Sequence, residues 1–295
     1  MLSQEEKAII REYRLALRRI HAELAPIYAS FPQTTQQRNR QRYLRQLQVQ
    51  IEQIIAEMYA KNQPRVIGTL GEAYKESYYM TGWAIDMEVD DAQLVWGILN
   101  PDVVRRAVLA PIDKLTLNDR LKRNRNLIIK SIRHHLAQGI IMGESYSKMA
   151  KRIEKVLEGD AKKARLIMRT EGHRVRNQGR FDSAMKAEEL GVESLKVWDA
   201  TLDLRTRPAH GMLDGTKIAI DEDFVSLNGG IGKHPGGMGN PRDDCNCRCT
   251  FRLELPGYGP SVRRIRGEGI KPYITYREWI KKQQKEQEAN KSEEN

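Results

Sequence analysis

Cysteines, aromatic residues and long apolar runs are all scarce in this 295-residue chain, and each scarcity excludes a class of protein. Three cysteines are too few, and an odd number, for a disulfide-stapled secreted domain, so we expect reduced thiols in a cytoplasm. Aromatic residues make up 6% of the chain and charged residues 30%, which favours long solvated helices over one compact core. No run of 18 apolar residues occurs and the first residues show no secretory pattern, so we expect no membrane partner.

Basic charge is in excess, with 50 Lys and Arg against 39 Asp and Glu, a net charge of +11 and a pI near 9.5. This excess favours an acidic partner such as double-stranded DNA, although dispersed charge is also typical of a merely solvated surface. Four arginines share one sector of the helix predicted from residue 160 to 191: Arg165, Arg169, Arg176 and Arg180. They are the predicted DNA-binding residues, and they would contact phosphates rather than bases.

The pattern of apolar residues predicts the α+β fold class. Three- and four-residue steps predict helices over 2–29, 35–61, 66–79, 92–99, 102–109, 118–138, 145–157 and 160–191. Alternation then predicts strands over 194–199 and 217–220, with a tight reversal at Leu213-Asp214-Gly215. We therefore expect a long helical region over 1–115, a small mixed α/β domain with a short antiparallel sheet over 116–282, and a polar tail over 283–295.

Two segments of the second half contain unusual residues. Residues 228–240 are rich in glycine but lack the spacing of a phosphate-binding loop. We expect a long mobile loop that orders on a partner or a neighbouring subunit. Between residues 245 and 255, alternation predicts a strand whose inward face begins with Cys245, Cys247 and Cys249. Such cysteines either approach one metal ion or line a core.

Charged residues in the second half suggest mostly structural roles. Glu171 and Arg174 lie in or beside an apolar helix sector, three residues apart, which predicts an internal ion pair. Asp203, Arg205 and Arg207 are expected to fix the following turn through bonds to the backbone.

Two enzyme alternatives remain open at this stage. Glu171 with His210 would suit a nuclease, and the run Arg169-Thr170-Glu171 would suit an NAD-dependent ADP-ribosyltransferase. The sequence shows no paired carboxylates at metal spacing and no cysteine close to a histidine, so we expect a protein that is not an enzyme.

Several motifs together resemble the phage Mu F-like minor head (head morphogenesis) protein family over about residues 140–282. The motifs are Arg169-Thr170-Glu171, Trp198, the run from Asp203 to His210, Leu213-Asp214-Gly215, Asn246-Cys247-Arg248-Cys249 and Tyr276-x-Glu278-Trp279. The residues that carry the resemblance are Arg169, Glu171, Trp198, Asp203, Arg205, Thr206, Asp214, Gly215, Arg248 and Trp279.

The resemblance implies a minor structural component of a tailed-phage head. Such a protein is associated with the portal, the scaffold or the major capsid protein, lies inside the capsid of the virion, and assists head morphogenesis, DNA packaging or genome ejection. The helical region over 1–115 would then face the portal or scaffold. A phage-borne enzyme packaged in the capsid is the alternative.

The resemblance also bears on a metal site. Many members of the family carry cysteine where this chain has Arg207 and His210, and histidine is a tolerated replacement at a zinc ligand. A tetrahedral Zn²⁺ site of His210, Cys247 and Cys249, with Cys245 or Asp214 as the fourth ligand, is therefore one expectation. The alternative is a cysteine-lined core strand with His210 hydrogen-bonded nearby.

Overall fold

The computed structural model describes residues 2–29, 37–89, 96–112, 114–142, 144–255, 261–265, 269–279 and 281–282. Its contacts divide the chain into two compact units. The first comprises Met1–Leu70, Leu109–Pro111 and Leu115–Arg169, and the second Gly71–Val108, Ile112–Lys114 and Thr170–Asn295. The predicted boundary at residues 115 and 116 does not coincide with these units and stays a prediction. The predicted tail over 283–295 lies outside the described residues.

Five long or medium helices account for most of the described residues up to Glu189: α1 (Leu2–Ala29), α2 (Gln37–Glu88), α3 (Pro101–Leu109), α4 (Leu117–Ile141) and α5 (Tyr146–Glu189). Within the first unit α1 and α2 are antiparallel, because Arg19 pairs with Glu57 at 2.6 Å and Glu5 with Arg65 at 3.8 Å. The predicted helix over 92–99 is wrong where it is described, since residues 96–100 have no regular structure, and residues 92–95 lie outside the described part.

Two breaks predicted inside helices are also wrong. Helix α2 continues through Pro64. The residues after this proline pack in the core, since Val66 is 4% exposed and Leu70 is 0% exposed. Helix α5 continues through Gly159, where Leu157 and Ala161 on either side are buried. Burial of a continuous face compensates for the helix-breaking tendency of a single proline or glycine.

A buried carboxylate organises the core of the first unit. The carboxylate of Asp160 accepts hydrogen bonds from the hydroxyls of Tyr13 at 2.6 Å and Tyr59 at 2.8 Å, and from the amide of Asn124 at 2.5 Å. Burial raises the pKa of Asp160, and the three donors oppose that rise.

The second unit contains short antiparallel sheets, which confirms the α+β fold class. Strands β1 (Leu195–Asp199), β2 (Lys217–Ala219) and β5 (Thr250–Glu254) form a sheet in the order β2-β1-β5, with Trp198 opposite Phe251. Strands β3 (Phe224–Val225) and β4 (Ile231–Gly232) pair, as do β6 (Val262–Ile265) and β7 (Gly269–Pro272). Two short helices, α6 (Pro208–Leu213) and α7 (Pro241–Asp244), lie between strands in the chain.

The glycine-rich segment over 228–240 is packed, so the prediction of a mobile loop is wrong. Met238 belongs to the core of the second unit and His234 is 3% exposed. The glycines permit close approach: a Cβ added to Gly232 would lie 2.0 Å from the carbonyl oxygen of Gly237. The same segment makes contact with α5, where the amide of Asn177 donates to the carbonyl of Pro235 at 2.9 Å.

Among the described residues, no helix is both long enough and apolar enough to cross a bilayer.

Candidate metal centre and the motif residues around it

One histidine and two cysteines meet in the core of the second unit. His210 lies in α6, which begins with a proline, while Cys247 and Cys249 lie just before β5. The Nδ1 atom of His210 is 3.6 Å from the Sγ of Cys247 and 3.4 Å from the Sγ of Cys249. All three ligand atoms lie within 4.8 Å of one another, and all three residues are buried.

The third cysteine does not join this cluster. Cys245 is exposed, because α7 ends at Asp244 and the chain turns at Asn246, whose φ of 55° lies in the left-handed region. The predicted strand over 245–255 therefore starts only at Thr250, and the alternation of buried side chains begins at Cys247. Cys245 as a metal ligand is a prediction that this geometry does not support.

A carboxylate orients the imidazole of His210. Its Nε2 atom lies 3.0 Å from Oδ1 of Asp243, which also accepts from the hydroxyl of Ser226 at 2.9 Å and the amide of Asn228 at 2.8 Å. Burial alone would lower the pKa of His210, but its contacts with Cys249 and Asp243 raise it overall. Burial would raise the pKa of Asp243, but the hydrogen bonds donated by Asn228, Ser226 and His210 lower it overall.

The two buried thiols affect each other. A hydrogen bond between them lowers the pKa of Cys247 and raises that of Cys249. Burial raises the pKa of Cys249 further. Cys247 is therefore the easier of the two to ionise.

Asp214, the predicted alternative ligand, serves a different purpose. Its carboxylate accepts from the guanidinium of Arg263 at 2.8 Å, from the backbone N–H of Ala200 at 2.7 Å and from the backbone N–H of Tyr276. The next residue, Gly215, has a φ of +77°, which favours glycine, and this confirms the tight reversal there. Asp214 thus joins three segments and is not available as a ligand.

Asp203 and Arg248 form an ion pair that joins the turn before α6 to the segment before β5. Both guanidinium nitrogens of Arg248 donate to the Asp203 carboxylate, one of them at 2.7 Å, and the backbone N–H of Arg205 donates to it at 2.9 Å. These donors hold the pKa of Asp203 well below its usual range. Thr206 donates to the carbonyl of Thr201, and Arg207 donates to backbone carbonyls beyond the turn, including that of Cys245.

The two motif tryptophans are core residues. Trp198 is fully buried and packs edge-on against His210 with a centroid distance of 5.4 Å. Trp279 packs in a second cluster with Leu202, Ile265 and Tyr276. Both rings fix the surroundings of the His–Cys cluster and of the C-terminal segment.

The predicted internal ion pair is confirmed. The guanidinium of Arg174 donates to Oε2 of Glu171 at 2.9 Å, and both side chains are buried. The neighbouring Thr170 accepts from the backbone N–H of Asn246 at 3.0 Å. Glu171 is 1% exposed, which leaves little room for the substrate of either enzyme alternative.

The four predicted DNA-binding arginines do not form one free basic face. Within the first unit Arg169 makes a bidentate pair with Glu6 at 2.9 and 3.0 Å, and Arg165 lies 3.9 Å from the same carboxylate. Within the second unit Arg176 lies 3.7 Å from Glu76. The guanidinium of Arg180 donates to the carbonyl of Phe251 at 2.7 Å and to the hydroxyl of Thr250, so this half-buried side chain is engaged with the sheet.

A basic surface that the sequence reasoning missed lies on α4. Lys122, Arg123 and Lys130 are exposed and fall within a sector of about 100° on that helix. Arg133 is exposed in the same sector and pairs with Glu52 of α2 at 2.5 Å. The helix carries one acidic residue, Asp119, near its start. We call this surface the α4 basic face. The helical spacing of its basic residues in the sequence was sufficient to detect it.

Comparison with known proteins identifies relatives. The model for the family described as Phage Mu protein F like protein matches residues 130–252. The minor head protein GP7 of Bacillus phage SPP1 is 43% identical over 212 residues, which cover 70% of this chain and 68% of that protein. The NAD(+)–arginine ADP-ribosyltransferase EFV of Enterococcus faecalis is 29% identical over 223 residues, which cover 74% of this chain but 45% of that protein. No solved structure matches the chain.

Proposed function

The chain belongs to the phage Mu protein F like family of minor head proteins, structural components of the phage head, and from this premise we propose how it acts there. We propose that it associates with the portal during assembly in the host cytoplasm, contacts the packaged double-stranded DNA without sequence preference, and remains inside the capsid. It would thereby assist head morphogenesis, DNA packaging or ejection. The observation that carries the proposal is the 43% identity to a minor head protein over two thirds of its length.

A structural role is favoured over catalysis by the burial of the candidate catalytic groups. Glu171 and His210 are each 1% exposed, and each is held by a neighbouring charged group. The chain spans less than half of the ADP-ribosyltransferase, so the activity in that protein's name does not transfer to it. We expect the purified chain to have no activity on NAD⁺, and an activity that is absent from a Glu171→Gln chain shown to be folded would contradict this part of the proposal.

Because the compact units cut across the predicted region 1–115, the helices of the first unit are the proposed portal-facing surface, with scaffold and major capsid protein as the other possible partners. Apolar side chains are exposed there at Val49 (64%) and Leu127 (54%), both within the first unit. The second unit offers a matched pair in Val225 (62%) and Val262 (54%).

The matched pairs define the experiment. The portal protein of the same phage is co-expressed with the chain, and recovery of the complex is measured. We expect Val49→Asp with Leu127→Asp to reduce recovery at least about tenfold, which corresponds to about 1.4 kcal/mol. The control, Val225→Asp with Val262→Asp, introduces the same two charges and should leave recovery unchanged. Equal recovery for both double variants would reject the assignment of this surface.

The α4 basic face is the proposed DNA contact, in place of the arginines of α5. Each cation that neutralises a phosphate releases a counterion and adds about 0.9 to the slope of log affinity against log salt. Replacing Lys122, Arg123 and Lys130 by glutamine should therefore lower that slope by about 2 to 3.

The control for DNA binding carries the same change in net charge. Arg242, Arg264 and Lys271 are exposed residues of the second unit, and their replacement by glutamine also removes three charges. Binding to duplex DNA is measured by fluorescence anisotropy between about 50 and 200 mM salt, a range over which phosphate-dominated binding falls steeply. The same loss of slope in both triple variants would show that net charge alone matters and would reject the α4 basic face.

A further inference from the structure

We propose that His210, Cys247 and Cys249 bind one zinc ion, which holds α6 against the segment that leads into β5. The distances fit this ion. With Zn–S bonds of about 2.3 Å and Zn–N bonds of about 2.0–2.1 Å, tetrahedral angles place the sulfur and nitrogen ligands roughly 3.6 Å apart. The observed separations from Nδ1 of His210 are 3.6 and 3.4 Å.

The groups behind the ligands have the arrangement that zinc sites require. A histidine ligand donates its other ring N–H to a carboxylate, which fixes the tautomer and directs the lone pair at the metal. Asp243 is placed for this, with Oδ1 at 3.0 Å from Nε2 of His210. The donors Ser226 and Asn228 hold the same oxygen, so the imidazole is oriented before an ion arrives.

Charge balance also favours the ion. Binding displaces the two thiol protons, and two thiolates with one Zn²⁺ form a neutral group that suits a buried site. An oxygen ligand would complete the tetrahedron. Among the described residues the cluster contains these three side chains alone, so a water molecule is the fourth ligand that keeps the group neutral.

A catalytic cysteine is the competing explanation, because Cys249, His210 and Asp243 have the order of a nucleophile, a base and an orienting carboxylate. Burial argues against it: Cys249 is 3% exposed and His210 is 1% exposed, so a substrate has no access to the sulfur. Both Cys247 and Cys249 place a sulfur near Nδ1 of His210. A catalytic site needs one nucleophilic sulfur there, whereas a metal site uses both as ligands.

The site would close a long loop. His210 and Cys247 are 37 residues apart, and the segment between them contains β2, β3, β4 and α7. A cross-link over such a span restricts the unfolded chain, as a disulfide does. Removal of the ion should therefore loosen the second unit.

Cys245 makes the experiment well controlled, because it is the same residue type, lies two residues from a ligand and is exposed. The full chain is purified under reducing conditions from cells supplied with zinc, and zinc is measured by elemental analysis. We expect about one equivalent in the parent chain and in Cys245→Ser, and less than about a tenth in Cys249→Ser and His210→Asn. A chelator should lower the melting temperature of the parent and of Cys245→Ser only.

A second measurement does not depend on the folding of the variants. Cobalt added to the chelated parent chain should give the intense visible bands of tetrahedral Co²⁺ and a near-ultraviolet band from thiolate ligands. Absence of these bands from a folded chain, zinc content that depends on Cys245, or rapid alkylation of Cys249 in the zinc-loaded native protein would each overturn the proposal.

Discussion

Replacing Arg174 by methionine should destabilise the second unit more than any comparable change on the surface of α5. Arg174 is 3% exposed, and its guanidinium makes three charge-assisted hydrogen bonds. One goes to Glu171 at 2.9 Å, and the other two go to the carbonyls of Ala107 and Val108 at 2.8 Å each. Those carbonyls belong to the last turn of α3, which lacks intrahelical donors, so Arg174 also caps that helix.

The expected cost follows from what the substitution leaves behind. Methionine fills a similar volume but leaves the Glu171 carboxylate buried without its guanidinium partner. Breaking a buried ion pair in this way costs about 3–5 kcal/mol. Removing both charges with Glu171→Leu in the Arg174→Met background should cost less than Arg174→Met alone, because no uncompensated charge then remains.

Arg176 provides the control, since it lies on the same helix and pairs with Glu76 at 3.7 Å with both side chains about half exposed. Arg176→Met should therefore cost about 0–1 kcal/mol. The free energy of unfolding is measured by urea denaturation of the full chain, followed by tryptophan fluorescence. If Arg174→Met and Arg176→Met cost the same, or if the double variant is less stable than Arg174→Met, the reasoning about the buried pair is refuted.

Two further predictions concern pH and packing. Burial lowers the pKa of His234 to about 4, whereas the unfolded chain protonates it near 6.5, so about 3 kcal/mol of stability is lost as the pH falls from 6.5 to 4. Urea denaturation across that range should show a smaller loss of unfolding free energy in His234→Gln than in the exposed control His134→Gln. Equal losses in the two variants would contradict the lowered pKa of His234. Gly179→Ala should cost about 1–3 kcal/mol, because the new Cβ would lie 2.5 Å from the carbonyl oxygen of Tyr74. In contrast, Gly159→Ala on the same helix meets nothing within 4 Å and should stabilise by about 0.5–1 kcal/mol, so a cost for both variants would refute the packing argument.

Features that depend on local periodicity were predictable from the sequence. Helix α1, the reversal at Gly215 and the pair between Glu171 and Arg174 all follow from spacings of one to four residues, and the structure contains each of them. The breaks predicted at Pro64 and Gly159 failed because helix propensity is a small energy that continuous burial of neighbouring turns outweighs.

The surroundings of the His–Cys cluster were not predictable, because they join residues far apart in the chain. Asp243 contacts His210 across 33 residues, and no period in the sequence connects them. Cys245 was misplaced because alternation assumes extended backbone, whereas Asn246 adopts a left-handed conformation that ends the alternation there. The glycine-rich segment was misread because glycine marks both flexibility and close packing, and only the neighbours distinguish the two.

The polar face of α5 has a consequence for synthesis on the ribosome. His173, Asn177 and Arg180 donate hydrogen bonds to backbone carbonyls between residues 235 and 251, more than 50 residues later in the chain. While the chain is being made, these side chains emerge long before their partners, and β1 likewise emerges before β5 can pair with it. Completion of the second unit is therefore delayed until β5 is free of the exit tunnel, so a chain that stops before residue 250 would expose an unsatisfied helix face to chaperones and proteases.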